Sequence, residues 1–163
     1  GYGNEKALNQ LLAHHAVIFK PQDRLVWVST APYQLGTFVA YDLKQIFSGS
    51  SYPSHTPYTQ NPSLNIPAAP FLYTQAFKDY EAYRGLEQQI ENHLREHTPI
   101  VIDKVKHITT LNPHYWKAYY LLGKAYQAQG DTSTAHQLFQ KALQCEIPYS
   151  EEREKIQKLL MAH

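Results

Sequence analysis

A predominantly helical chain with a small N-terminal α+β piece is predicted by three features of the 163-residue sequence. Apolar residues recur at spacings of three and four through most of the second half, the pattern of one-sided helices. Near the start, two runs of β-branched and aromatic residues flank Lys20-Pro21-Gln22-Asp23, which reads as strand, turn, strand. Between these parts, Pro53, Pro57, Pro62, Pro67 and Pro70 exclude most regular structure from Ser48 to Tyr73.

The elements follow in order. Asn4 to Leu12 places Ala7, Leu8, Leu11 and Leu12 on one helical face behind a possible Asn4 cap, a short helix. In HHAVIFKPQDRLVWVST both faces of both strands are apolar. Ala16 and Ile18 lie opposite Val17 and Phe19, while Leu25 and Trp27 lie opposite Val26 and Val28. A hairpin with one wet face alternates with polar residues, so this one is expected inside a larger sheet covered on both sides. No further convincing strand is read in the chain. The partner is then a preceding portion of the same polypeptide or a second copy, the other reading being a small hairpin packed on the C-terminal helices. Residues 31–47 pass through a Pro32 and Gly36 turn into a short apolar stretch and a helical turn from Asp42 to Phe47. Tyr52, Tyr58, Leu64, Ile66, Phe71, Leu72 and Tyr73 are too many apolar groups for a solvated linker, so the proline-rich segment is expected to wrap along a surface.

From Thr74 to about His97, Phe77, Tyr80, Tyr83, Leu86, Ile90 and Leu94 mark a long amphipathic helix. Thr98-Pro99 ends it, and Val101, Val105 and Ile108 predict a second helix. Asn112-Pro113 reads as a cap and first residue of a third helix carrying Tyr119, Leu122 and Tyr126. Gln129-Gly130-Asp131 breaks the pattern, with glycine for a positive φ and aspartate to cap a fourth helix striped by Ala135, Phe139 and Ala142. Ser150 caps a last helix whose first turn holds Glu151 and Glu152, matching the positive helix end. Its stripe of Ile156, Leu159 and Leu160 is expected to cover the preceding hairpin as a terminal cap. The resulting division is 1–47, an incomplete sandwich piece; 48–73, a proline-rich wrap; and 74–163, a helical module.

The formal net charge of +1 supplies no basic or acidic excess for nucleic acid or an anionic membrane surface. No apolar run approaches the roughly 20 residues of a membrane-spanning helix. Aromatic residues make up 13%, with thirteen tyrosines, which suits semi-polar packing surfaces and interfaces. Cys145 is the sole cysteine, so no intramolecular disulfide forms and the compartment stays open.

Asn112 to Pro148 resembles a tetratricopeptide repeat. Leu122, Gly123, Tyr126, Ala135, Phe139 and Ala142 fall on that family's signature positions, small residues where helices cross and large ones between. Tyr119 replaces its usual tryptophan, and Pro148 arrives one residue late. The resemblance implies a helical hairpin, with Lys117, Tyr120, Lys124 and Gln127 at positions that line its concave face. Two lysines there suit an acidic peptide or a terminal carboxylate, though the asparagines of a full carboxylate clamp are missing, and a solvated face is the plainer reading.

HHAVIFKPQDRLVWVSTAPYQLGTFVAYDL with NIPAAPFLYTQAFKDYEAYRGLE, over residues 4–87, resembles the C-terminal part of bacterial enzymes related to acyl-CoA:6-aminopenicillanic-acid acyltransferase. These are N-terminal-nucleophile hydrolases, and the resemblance implies an αββα sandwich and a cysteine nucleophile exposed by self-cleavage. The chain begins Gly1-Tyr2-Gly3, and Cys145 reads as a packing residue, so no catalytic residue is assigned. The expected function is the non-nucleophilic end of such an amide hydrolase or acyltransferase, with a helical module for packing or partner docking. The alternative is a stand-alone tetratricopeptide-type scaffold. His93-Leu94-Arg95-Glu96-His97 matches H-x-x-E-H, but it ends a helix, where His97 near the negative helix end has a structural reason. His14-His15 would point to opposite faces of a strand. No metal site or cofactor is assigned.

Overall fold

The computed structural model describes residues 2–3, 11, 13–48 and 60–161. Apart from Leu11, the expected helix over Asn4 to Leu12 lies outside the described residues, as do the aromatic groups Tyr52 and Tyr58. The chain divides into two units, Asn9–Thr74 and a second that joins Gly1–Leu8 to Gln75–His163.

The first unit holds an antiparallel sheet of three strands in the order β1 (Val17–Lys20), β2 (Leu25–Ser29) and β3 (Phe38–Asp42). The β1–β2 turn closes through Asp23 N–H donating to Lys20 O at 3.1 Å and Arg24 N–H to Pro21 O at 3.1 Å. Pro21, which has no N–H to give, stands where none is needed. The third strand corrects the two-strand reading. Phe38, Val39, Ala40 and Tyr41 show no alternation, and their extended state comes from pairing with β2, in register Val26↔Tyr41, Trp27↔Ala40 and Val28↔Val39. The chain reaches β3 through a loop pinned by Thr30 N–H to Thr37 O at 2.9 Å. Gly36 is required in it, because a Cβ there would stand 2.4 Å from Ala31 O.

The outer edge of β3 is closed by the proline-rich segment. Phe38 bridges Ile66, Tyr41 bridges Gln60, and Asn65 Oδ1 accepts from Ala40 N–H at 2.9 Å. Trp27 Nε1–H donates to Leu64 O at 2.8 Å, so the segment also passes over the Trp27 face. Asp42 ends β3 and caps α1 (Leu43–Phe47), its carboxylate accepting from Lys44 N–H at 2.9 Å.

The second unit is built from α2 (Gln75–Glu96), α3 (Ile102–Val105), α4 (Ile108–Leu111), α5 (Trp116–Ala128), α6 (Thr132–Gln144) and α7 (Ser150–Met161). Its core gathers Tyr80, Tyr83 and Ile90 of α2, Val105, Ile108, Leu121 and Leu122, and Phe139 of α6. The α5–α6 pair packs most extensively, at a crossing where Gly123 lies under the Phe139 ring. A Cβ on Gly123 would meet Phe139 Cε1 at 2.6 Å, closer than real Cβ atoms approach. Gly130 at φ +84° turns the chain, and Asp131 caps α6 by accepting from Thr134 N–H at 3.0 Å. That hydrogen bond holds the Asp131 carboxyl below its ordinary range. Ala135, Phe139 and Ala142 are buried together with Ile156 of α7, and Leu159 and Leu160 pack against the same cluster.

Two boundaries differ from the sequence reading. The helix expected around Val101, Val105 and Ile108 is two short ones, α3 and α4, and Val101 is left exposed before the first. The helix expected from Asn112 begins at Trp116. Asn112 instead follows α4, buried, and its side chain donates to Tyr2 O at 2.8 Å.

Candidate functional site

The stripe Lys117, Tyr120, Lys124 and Gln127 lies along α5, one to two turns apart, as i, i+3 and i+4 spacing requires. The structure gives its members different tasks. Lys117 is committed to α2: its Nζ lies 2.9 Å from Glu87 Oε1 and 2.8 Å from Glu91 Oε1. Glu87 is itself buried and also accepts from Tyr83 O–H at 3.0 Å, with Arg84 Nε at 3.9 Å. Burial alone would push the Lys117 ammonium down, but the Glu91 and Glu87 carboxylates outweigh it and hold the group above its ordinary value. Lys117 is therefore already paired with two carboxylates of α2 within the helical unit.

Tyr120 packs its ring between Trp116, at 5.9 Å, and Phe139, at 6.1 Å, with the Lys155 ammonium 5.4 Å above the ring. Lys124 Nζ donates to Gln127 Oε1 at 2.8 Å. Burial, and then the charge of Lys155, press the Lys124 ammonium below its ordinary value. Two clefts result. One of about 330 Å³ is lined by Glu91, Trp116, Lys117, Tyr120, Tyr149 and Lys155. A second of about 470 Å³ is lined by Tyr120, Lys124, Glu151, Glu154, Lys155 and Lys158. Tyr120 and Lys124 thus meet across α5 and α7 with lysines and glutamates in near balance, a surface suited to polar peptide contacts and not to a strongly charged ligand.

The residues at the signature spacing are interior. Leu122, Gly123, Ala135, Phe139 and Ala142 are buried, and Tyr126 is half-buried. Cys145 follows α6, half-buried, its Sγ–H 3.6 Å from Lys141 O, and burial raises its thiol above the ordinary value. A thiol so placed is mostly protonated at neutral pH and a poor nucleophile.

His93 and His97 line a pocket of about 240 Å³ with Thr98 and Ile100. His93 Nδ1 is 2.6 Å from Thr98 Oγ1, and His97 has left the helix with φ +54°. Among the described residues no three His, Cys, Asp or Glu side chains group to hold a metal ion. His14 and His15 are exposed and precede β1 instead of lying in it, so the opposite-face argument does not apply to them.

Glu87, Glu91 and Lys155 were missed as partners of the α5 stripe. A signal existed for Glu87, which falls at a core position of the sequence Tyr80, Tyr83, Glu87, Ile90, where a charge needs a partner.

The fold and these clefts define a chain of two units, a small antiparallel sheet and a helical array whose candidate site is a mixed-charge groove beside α5. Compared with protein-family models, curated proteins and solved structures, the chain matches none. No described helix is long and apolar enough to cross a membrane.

Proposed function

We propose that this chain is the C-terminal, non-nucleophilic region of an N-terminal-nucleophile amide hydrolase or acyltransferase, its helical unit a tetratricopeptide-type module that packs on the enzyme or docks a partner. One observation carries the reading. On one face of the sheet the cross-strand pairs Val17↔Val28 and Phe19↔Val26, then Val28↔Val39 and Val26↔Tyr41, contain no polar aliphatic or charged side chain. Phe19 is 68% exposed, Val17 46% and, on the other face, Ile18 41%. Among the described residues β1 pairs with β2 alone, whereas β3 has its outer edge closed.

Pairing also fixes which groups β1 offers. Ser29 N–H donates to Ala16 O at 2.9 Å, so alternate residues Val17 and Phe19 turn their backbone groups away from β2. An apolar edge strand of this kind invites another strand, and natural proteins normally blunt it. Strands from a preceding portion of the same polypeptide would extend the sheet there, and a second layer on the Val17–Phe19 face would complete an αββα sandwich. A second copy of the chain is the other partner that fits the edge.

The scaffold reading rests on a different feature, the groove where Tyr120 and Lys124 face α7. In it the chain binds a peptide without any link to an enzyme.

The test has two measurements. The chain alone, given amide and thioester substrates, should show no turnover above buffer; turnover abolished by Cys145→Ala would overturn the assignment. An apolar fluorescent dye should bind the sheet and lose most of its signal in a Val17→Lys, Phe19→Lys double variant. A monomer that binds no dye at this face would remove the basis for a missing layer and leave the scaffold reading.

A further inference from the structure

We infer that Lys124 is a nucleophilic amine that captures a small aldehyde acid or α-oxo acid as an imine, with Lys155 and Lys158 of α7 seating the carboxylate of that ligand. The site lies within the helical unit and rests on neither the sheet nor the peptide reading of the groove.

Two lysines among the described residues are half-buried, Lys117 and Lys124, and they differ in what meets the ammonium. Lys117 has the carboxylates of Glu87 and Glu91 at 2.9 and 2.8 Å. Lys124 has the neutral Gln127 Oε1 at 2.8 Å, and among the described residues no carboxylate stands within ion-pair reach of it. A shielded ammonium without a counter-charge favours losing its proton. Burial, and then repulsion from Lys155, act in that direction here. More of Lys124 is therefore free amine at a given pH than of a surface lysine, and the free amine is the nucleophile.

The space in front of the amine suits a small ligand of one negative charge. The cleft of about 470 Å³ is closed on its apolar side by Tyr120 of α5 and Leu159 of α7. Lys155 and Lys158 line it from α7, and Lys155 also has its ammonium 5.4 Å above the Tyr120 ring. The Lys155 link to Glu152, at 3.6 Å, is an exposed pair and weakly held. A single carboxylate meets the two α7 ammonium groups, whereas a second negative charge adds repulsion from Glu151 and Glu154, which line the same cleft.

The step needs no co-reactant. The lone pair of Lys124 Nζ forms a bond to the carbonyl carbon as the π pair of C=O moves to oxygen. The two hydrogens of the neutral amine then leave with that oxygen as water, and the nitrogen pair closes C=N. Gln127 Oε1, by accepting one N–H beforehand, fixes where the amine sits.

Trapping tests this. The probe is glyoxylate, an aldehyde with one carboxylate, given to the whole chain at neutral pH. Sodium cyanoborohydride reduces any imine to a stable secondary amine, which peptide mass mapping locates. Lys124 should be modified at least ~3-fold faster than the exposed Lys78 and Lys141. That preference should disappear in denaturing urea. It should be at least ~2-fold smaller with acetaldehyde, which lacks the carboxylate, and likewise smaller with glyoxylate in Lys155→Met, a change at an exposed position. Lys124 modified no faster than Lys78 and Lys141, an equal preference for the two aldehydes, or a preference unchanged in Lys155→Met would overturn the inference.

Discussion

Glu87 and Lys117 face each other across α2 and α5 at 2.9 Å, and the carboxylate that binds the lysine is the one that accepts the Tyr83 hydroxyl. The Glu87 side chain is 11% exposed and that of Lys117 29%, so the pair is shielded but not sealed. Removing one partner strands the other. Lys117→Met should cost about 1–3 kcal/mol by urea denaturation, below the roughly 3–5 of a fully buried pair, because Arg84 remains near Glu87. Glu87→Gln should cost less, since Lys117 keeps Glu91. A Lys117→Met variant as stable as the wild type would show that the ion pair contributes nothing to the α2–α5 contact.

The same cluster sets a response to alkali. Tyr83 is held above the ordinary tyrosine value of 10.0, first by burial and then by Glu87. Lys117 is held above the ordinary lysine value of 10.5 by its carboxylates, against its burial. Both groups keep their protons more tightly in the folded chain than in the unfolded one. Their contribution is complete below the ordinary values, and as pH climbs past them the unfolded chain deprotonates first, so stability falls. The denaturation midpoint should fall progressively as pH rises above about 10, and Tyr83→Phe should flatten the fall. An equally steep drop in Tyr83→Phe would assign the response to other groups.

At the α5–α6 crossing, Gly123→Ala drives a methyl toward Phe139, and the expected cost is about 1–3 kcal/mol. Phe139→Leu removes the obstructing ring edge at its own cavity cost. The double variant should therefore be more stable than the sum of the single losses by at least about 0.5 kcal/mol. Strict additivity would mean that the two residues do not share the crossing.

Much of the helical unit was readable because its periodicity and its punctuation agree. Gly130 and Asp131 stand where a turn and a cap are needed, and Ala135, Phe139 and Ala142 are buried as their spacing demands. Strand β3 was not readable, because Phe38 to Tyr41 carry no alternation and owe their form to β2 on one side and to Gln60 and Ile66 on the other. Asn112-Pro113 has the letters of a helix start, yet the asparagine is taken by a carbonyl 110 positions away, a contact local patterns do not contain. At the candidate site, the position of Lys117 on α5 was legible but its pairing was not, since α2 had been read as a stripe of apolar residues alone.

The β1 edge yields the last prediction. A side chain buried within the chain loses stability when charged, whereas one awaiting a partner does not. Phe19 is 68% exposed, and Val26 opposite it is half-buried. Phe19→Lys should therefore change the stability of the isolated chain by no more than about 0.5 kcal/mol, the range of ordinary surface positions. Ala40 is the contrast on the same sheet, fully buried on β3 between β2 and the stretch of chain that bridges at Gln60 and Ile66. Ala40→Lys should prevent the sheet from forming, because the lysine has no volume to enter and no partner for its charge. If Phe19→Lys proves as damaging as Ala40→Lys, the Phe19 side chain is already covered in solution, and β1 is an interior element of this chain instead of an edge prepared for another.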